Sequence, residues 1–170
     1  MDKIANYALF QIGWFLAVLF QSPWSLLWAL MFVVVHTFAF KHRNETWQLL
    51  PVMLLGLSVD LIWHLSPFIE YLGPGFIVPT WIIALWIIFP LTLNHSLGWL
   101  KGRLTLQVLF GILGGGGSYV AGTKLGAADA TPLGLLLVAG AWGLWLPLFY
   151  WIIGRPGWNH PINRSVGAQQ

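Results

Sequence analysis

Residues 76–103 read FIVPTWIIALWIIFPLTLNHSLGWLKGR. An uncharged run long enough to cross a bilayer ends in an amide, an imidazole and a hydroxyl (Asn94, His95, Ser96), and two cations, Lys101 and Arg103, follow. A helix needs about 20 apolar residues, rising ~1.5 Å each, to traverse the hydrocarbon core. The rest of the chain repeats this arrangement. With turn and charge signals as boundaries, the apolar segments fall at 4–20, 23–40, 47–65, 76–98, 104–123 and 132–153. The breaks between them are QSP at 21–23, KHRNET at 41–46, SPFIEYLGPG at 66–75, KGR at 101–103 and KLGAADATP at 124–132. Such short connections make sequential helices antiparallel neighbours. The expected fold is therefore all-α, a polytopic bundle of six transmembrane helices over residues 1–153, with a polar tail at 154–170.

Composition points the same way. Only 8% of the 170 residues are charged and 58% are hydrophobic, against roughly 25% charged in soluble domains. Eight Lys and Arg scattered along the chain make no contiguous basic patch, which argues against a nucleic-acid partner despite a pI near 9.5. There is no cysteine, hence no disulfide, thiolate ligand or thiol nucleophile. The first apolar run follows Lys3 as a signal peptide would, but no small-x-small site comes after Phe20, so the run is expected to be kept.

Counting cations on alternate sides orients the bundle. One side collects Lys3, Lys41, Arg43, Lys101, Arg103, Arg155 and Arg164, and the other has only Lys124. Because Lys and Arg are retained in the cytoplasm, both termini are expected there. Trp24, Tyr71, Trp99 and Trp158 fall where aromatic rings settle at the interfaces.

Depth along each span sorts the polar residues into two layers. An inner layer holds His36, Asn94, His95, Ser96 and Gln107, and an outer one holds Asp60, His64, Ser118, Tyr119 and Lys124. A carboxylate in the hydrocarbon region needs a partner. For Asp60, His64 at i+4 is the local choice; Lys124 and the Tyr119 hydroxyl are the long-range ones. Asp60 is thus either a tie between helices or a substrate, proton or ion site. The Asn94-His95-Ser96 triplet, with Lys101 and Arg103 beside it, can bind a lipid headgroup or can make interhelical hydrogen bonds to His36 or Gln11.

Other chemistry is disfavoured. His36, Asp60, His64 and His95 are metal-ligand types, yet one zinc needs its ligands within about 2.0–2.2 Å, and the two layers stand ~10 Å apart. No metal is expected. Ser96 next to His95 points about 100° away on a helix, which does not make a triad. The run GILGGGGSYVAGTKLG at 111–126 superficially resembles a phosphate loop but has Thr before Lys and no strand ahead of it. Its small residues at four-residue spacing, Gly111 with Gly115, Gly114 with Ser118, Gly117 with Ala121 and Ser118 with Gly122, instead allow close helix packing, or an unwound helix lining a cavity. No cofactor is expected either.

Four elements, LFQIGWFLAVL at 9–19, LLGLSVD ending at Asp60, PTWIIALWIIFPLTLNHSLGWL at 79–100 and GGGSYVAGTKLGA at 115–127, resemble a bacterial inner-membrane family. It is known as domain of unknown function 2878. The resemblance covers nearly the whole chain and implies a small polytopic protein, often encoded among genes for fatty-acid or phospholipid modification, with no catalytic residue to transfer. The leading expectation is an inner-membrane protein that binds or processes a lipid, or assists a lipid-modifying pathway. Membrane lipids are its expected partners, and a membrane-protein partner or a second copy stays open. The alternatives are a proton-coupled carrier using Asp60 and the Gly-rich helix, and a non-catalytic scaffold.

Overall fold

Proline and glycine punctuate the apolar runs and set where helices begin and end. The computed structural model describes residues 3–39 and 49–155. Lys41, Arg43, Trp158, Arg164, the edges of the second and third spans, and nearly all of the expected polar tail lie outside the described residues. The helices are α1 (Lys3–Phe20), α2 (Ser25–Val34, continued by a π turn Val35–Ala39), α3 (Leu50–Leu65), α4 (Thr80–Ile88), α5 (Leu104–Phe110), α6 (Gly117–Lys124) and α7 (Pro132–Ile153). A π-helical segment, Gly111–Gly116, joins α5 to α6 into one bulged helix. At the head of α7 the Thr131 hydroxyl accepts from the Gly134 N–H at 3.0 Å, and Pro132 occupies the first turn, where its missing donor costs nothing. α6 ends with Gly126 at φ +75°, and Ala127 N–H reaches back to the Gly122 carbonyl, a left-handed closure that favours glycine.

Three helices are long and apolar enough to cross a bilayer: Lys3–Phe20, Leu104–Lys124 and Pro132–Ile153. They suggest a membrane protein. Three more apolar helices, Ser25–Phe38, Leu50–Leu65 and Thr80–Thr92, are shorter. Large apolar side chains stand outward along the surface, among them Leu113, Leu136 and Leu144 at 69–75% exposure, a distribution that soluble monomers avoid.

The fourth expected span is not one continuous helix. Regular α-helix stops at Ile88, because Pro90 lacks an N–H and the chain tightens to i→i−3 bonds, Thr92 to Phe89 and Leu93 to Pro90. Asn94, His95 and Ser96 therefore lie in turns, and a second 3₁₀ turn, Gly98–Leu100, leads to the cations. α4 itself is apolar on every side and buries Trp81, Ile82, Ala84, Trp86 and Ile88, as an all-round apolar helix should when it is central. α1, α2 and α3 pack around it, whereas the bulged helix packs on α7.

A small sheet departs from the all-α expectation. β1 (Ile69–Tyr71) pairs antiparallel with β2 (Ala128–Ala130) in the register Ile69↔Ala130, Glu70↔Asp129, Tyr71↔Ala128. Leu72 N–H to Ala127 O and Thr131 N–H to Phe68 O extend the ladder at both ends. It ties the loop after α3 to the loop after α6, and its alternation sends Ile69 and Tyr71 inward and Glu70 outward. Exposed Glu70 and Asp129 thus face each other directly, a repulsive cross-strand pair. Asp129→Asn is expected to raise the melting temperature, more at low than at high salt. A variant that melts with wild type at low salt would show that the pair is idle.

Candidate functional site: an aromatic cavity around Asp60

α3 turns Val52, Gly56 and Asp60 inward, one residue per helical turn. At Gly56 a Cβ would sit only 2.0 Å from the Trp86 ring, so the missing side chain is what lets the indole lie against α3. One turn further on, that indole N–H donates to Asp60 Oδ2 at 2.6 Å. The Tyr71 hydroxyl donates to Oδ1 at 2.7 Å, and the Tyr119 hydroxyl donates to the same oxygen. Asp60 is 4% exposed and joins α3, β1, α4 and α6 at one point. Burial, with Tyr119 and Asp60 close by, lifts the Tyr71 phenol well above its ordinary value. Tyr71 therefore stays protonated through neutral pH and remains a donor.

The other outer-layer residues have separate roles. His64 is not on Asp60: its Nδ1 accepts from the Tyr71 N–H at 3.2 Å, and its ring stacks on Tyr71 at 5.6 Å. Lys124 is exposed at the end of α6 and takes no part in Asp60's hydrogen bonds. Ser118 donates to the Gly115 carbonyl of its own helix at 2.6 Å.

The inner layer divides as well. His36 and His95 are both buried and meet edge to face with ring centroids 5.0 Å apart, so they look across the bundle at each other. Ser96 is held by Asn6, whose Oδ1 accepts from the Ser96 hydroxyl at 2.6 Å and from its N–H at 3.2 Å, while Asn6 Nδ2 donates to the Leu91 carbonyl. Gln107 donates to the Leu100 carbonyl at 2.9 Å, and the Tyr150 hydroxyl to that of Leu97 at 2.7 Å. These bonds fasten the turn that replaces the end of the fourth span. Asn94 is half-buried, and Lys101 and Arg103 are exposed.

Between α1 and the bulged helix lies a cavity of about 380 Å³. Tyr7, Phe10, Gln11, Trp14 and Val18 of α1 form one wall, and Phe110, Gly114, Gly115, Ser118 and Tyr119 are on the opposite one. Trp81, Leu85, Trp86 and Phe89 of α4 and the following residue, with Trp142 of α7, close the back. Trp86 and Trp142 stack there at 5.8 Å, and Phe89 and Phe149 fill their edges. Asp60 lines this cavity, and so do Thr92 and Ser96, so one space touches members of both polar layers. Its size and apolar lining with a few polar groups suit a small organic ligand.

The Gly-rich segment serves both walls. A Cβ on Gly111 would lie 2.2 Å from the Trp142 carbonyl oxygen, one on Gly115 2.3 Å from the Trp142 ring, and one on Gly116 2.7 Å from Ala139. Those glycines seat α7, as close helix packing predicts. Gly114 and Gly122, together with Gly115, line the cavity, and Gly117 meets nothing within 4 Å. The helix is widened into π geometry over 111–116 rather than unwound, a local change frequent at functional sites.

A family model described as protein of unknown function (DUF2878) matches residues 3–148. The chain belongs to this family. No curated protein and no solved structure matches it. The match takes in α1 through most of α7, and with them every wall of the cavity.

Sequence reasoning missed Asn6, Trp86 and Tyr150, and placed Tyr71 only at an interface. Asn6 was open to detection by the same logic as Asp60, as an amide inside an apolar span. Nothing local marks Trp86 among 12 tryptophans, or Tyr71 in a loop, as donors to one carboxylate.

Proposed function

We propose that this chain is a six-span protein of a bacterial inner membrane, both termini cytoplasmic, that takes a lipid sideways from the bilayer into the cavity between α1 and the bulged helix. The observation that carries the reading is the position of that cavity. α1 packs on α2 and α4 and the bulged helix packs on α7, so the two helices flanking the space lean on different neighbours. Tyr7 on one rim and Phe110 on the other are 54% and 38% exposed, on surfaces that bear outward leucines. An apolar chain entering there exchanges lipid contacts for aromatic ones with little desolvation.

The polar triplet and its cations move to a supporting part in this reading. Lys101 and Arg103 stand outside the cavity wall, at the same face as Lys3 and Arg155 by span count, and act as the cytoplasmic anchor. The carrier alternative would require Asp60 to exchange its three donors during each cycle.

Two measurements test the proposal. Because the chain has no cysteine, single cysteines at Lys101 and Asp129 can be labelled cleanly from either side of a vesicle. Six spans put them on opposite sides, and labelling from one side would overturn the topology. An acyl chain carrying a photoreactive group should crosslink to Trp14, Leu85 or Gly114. Crosslinks confined to outward residues such as Leu136 and Leu144 would sink the lipid-binding reading.

A further inference from the structure

The wall contributed by α1 says which lipid. Tyr7, Phe10, Gln11, Trp14 and Val18 line the cavity at the spacing of a single helix face. Three of them carry a hydrogen-bond donor: the Tyr7 hydroxyl, the Gln11 carboxamide and the Trp14 indole N–H. None of the three makes a hydrogen bond to another described residue. Gln11 is half-buried midway along Lys3–Phe20, where an amide without a partner is costly.

Apart from the Trp142 indole, which lies by the Tyr119 hydroxyl, the remaining polar side chains on the walls are already occupied as donors. Thr92 donates to the Phe89 carbonyl at 2.7 Å, Ser96 to Asn6, Ser118 to Gly115 and Thr123 to the Val120 carbonyl at 2.9 Å. Both oxygens of Asp60 accept from side chains of the protein. Among the described residues, no Lys or Arg lines the cavity. Three free donors are thus gathered on α1, on a ladder rising ~10 Å from Tyr7 to Trp14, with no cation for an acidic headgroup and no free carboxylate oxygen for a basic one among the described residues.

Building on the lipid-binding reading above, we infer that the cavity recognises an uncharged lipid bearing carbonyl or ester oxygens, which accept from Gln11 and its neighbours on α1. A bare hydrocarbon leaves the ladder unsatisfied. A carboxylate or phosphate head would enter without a countercharge.

The test uses the purified full-length chain in detergent micelles and three dibrominated probes of equal chain length: a stearoyl methyl ester, an octadecane and a stearate. Bromine quenches the fluorescence of the cavity tryptophans Trp14, Trp81, Trp86 and Trp142. The ester is expected to quench saturably at roughly three- to tenfold lower concentration than the hydrocarbon, the ratio that one net hydrogen bond confers. Gln11→Leu should abolish that preference and leave the hydrocarbon curve in place, which also reports an intact cavity. Trp14→Phe, which keeps the ring and loses the N–H, should shift the ester in the same direction and decides the matter if Gln11→Leu fails to fold. Retention of the full ester preference in both variants overturns the inference while the cavity reading stands, and stearate binding best of the three overturns it as well. If neither neutral probe quenches wild type saturably, the lipid-binding reading itself falls.

Discussion

Asp60→Ala is expected to lower the stability of the folded chain by about 3–6 kcal/mol, the cost of stranding three buried donors at roughly 1–3 kcal/mol each, less what the cavity can rehydrate. The Tyr71 and Tyr119 hydroxyls and the Trp86 indole all end on this carboxylate. Tyr119→Phe removes one donor and leaves the other two in place, so it should cost only about 1–2 kcal/mol. Asp60→Asn should fall between them, since one oxygen still accepts from the two phenols while the new NH₂ faces the indole N–H, donor against donor. Reversible unfolding in mixed micelles, followed by near-ultraviolet dichroism, measures all three. An Asp60→Ala variant within 1 kcal/mol of wild type would mean that the four-element junction contributes little to the fold.

Gly111→Ala should be nearly as severe, and for a different reason. The added methyl would stand 2.2 Å from the Trp142 carbonyl oxygen and 3.2 Å from Gly143 Cα, both backbone atoms that no rotamer change can move. The bulged helix and α7 must separate to admit it. Overpacking of this kind costs about 1–3 kcal/mol, more where the partner is rigid. It would also move Tyr119, which the bulged helix carries, relative to Asp60 on α3. Gly117→Ala and Gly140→Ala are the controls. Each meets open space, and the gain in helix propensity of about 1 kcal/mol makes them neutral to stabilising. Equal melting of the Gly111 and Gly117 variants would dismiss the close-packing account of the Gly-rich segment.

Some of this was legible in the chain itself. The sixth span, 132–153, coincides with α7, and the fifth, 104–123, with the bulged helix but for one residue. Both are bounded by signals that act locally, Thr131 with Pro132 at one start and Gly126 past one end. The fourth run is not one continuous helix, which hydropathy did not foresee because it counts transfer energy and is blind to backbone bonding: Pro90 sits inside an apolar run without changing its average. The strands escaped notice because each is three residues long and depends on a partner about 60 positions away.

For the site, the reading that an acid inside an apolar helix must have partners was sound, and Tyr119 is one of them. His64 and Lys124 looked as suitable as Tyr119 on paper. They differ in direction: His64 is turned to the Tyr71 backbone, and Lys124 projects from the helix end to the outside. Distance along one helix is a property of sequence, whereas the direction of approach of a neighbour is not.

Thus the sequence by itself determined a chain of apolar helices and the need for Asp60 to be satisfied, because burial energy and backbone bonding within a helix are local sums. Only the tertiary structure decided that two phenols and an indole from distant segments do the satisfying, that His36 finds His95, and that α1 and the bulged helix stand apart around a cavity. Those outcomes depend on which helix leans on which, and that is fixed by steric fit at a few glycines and rings rather than by any average over the chain.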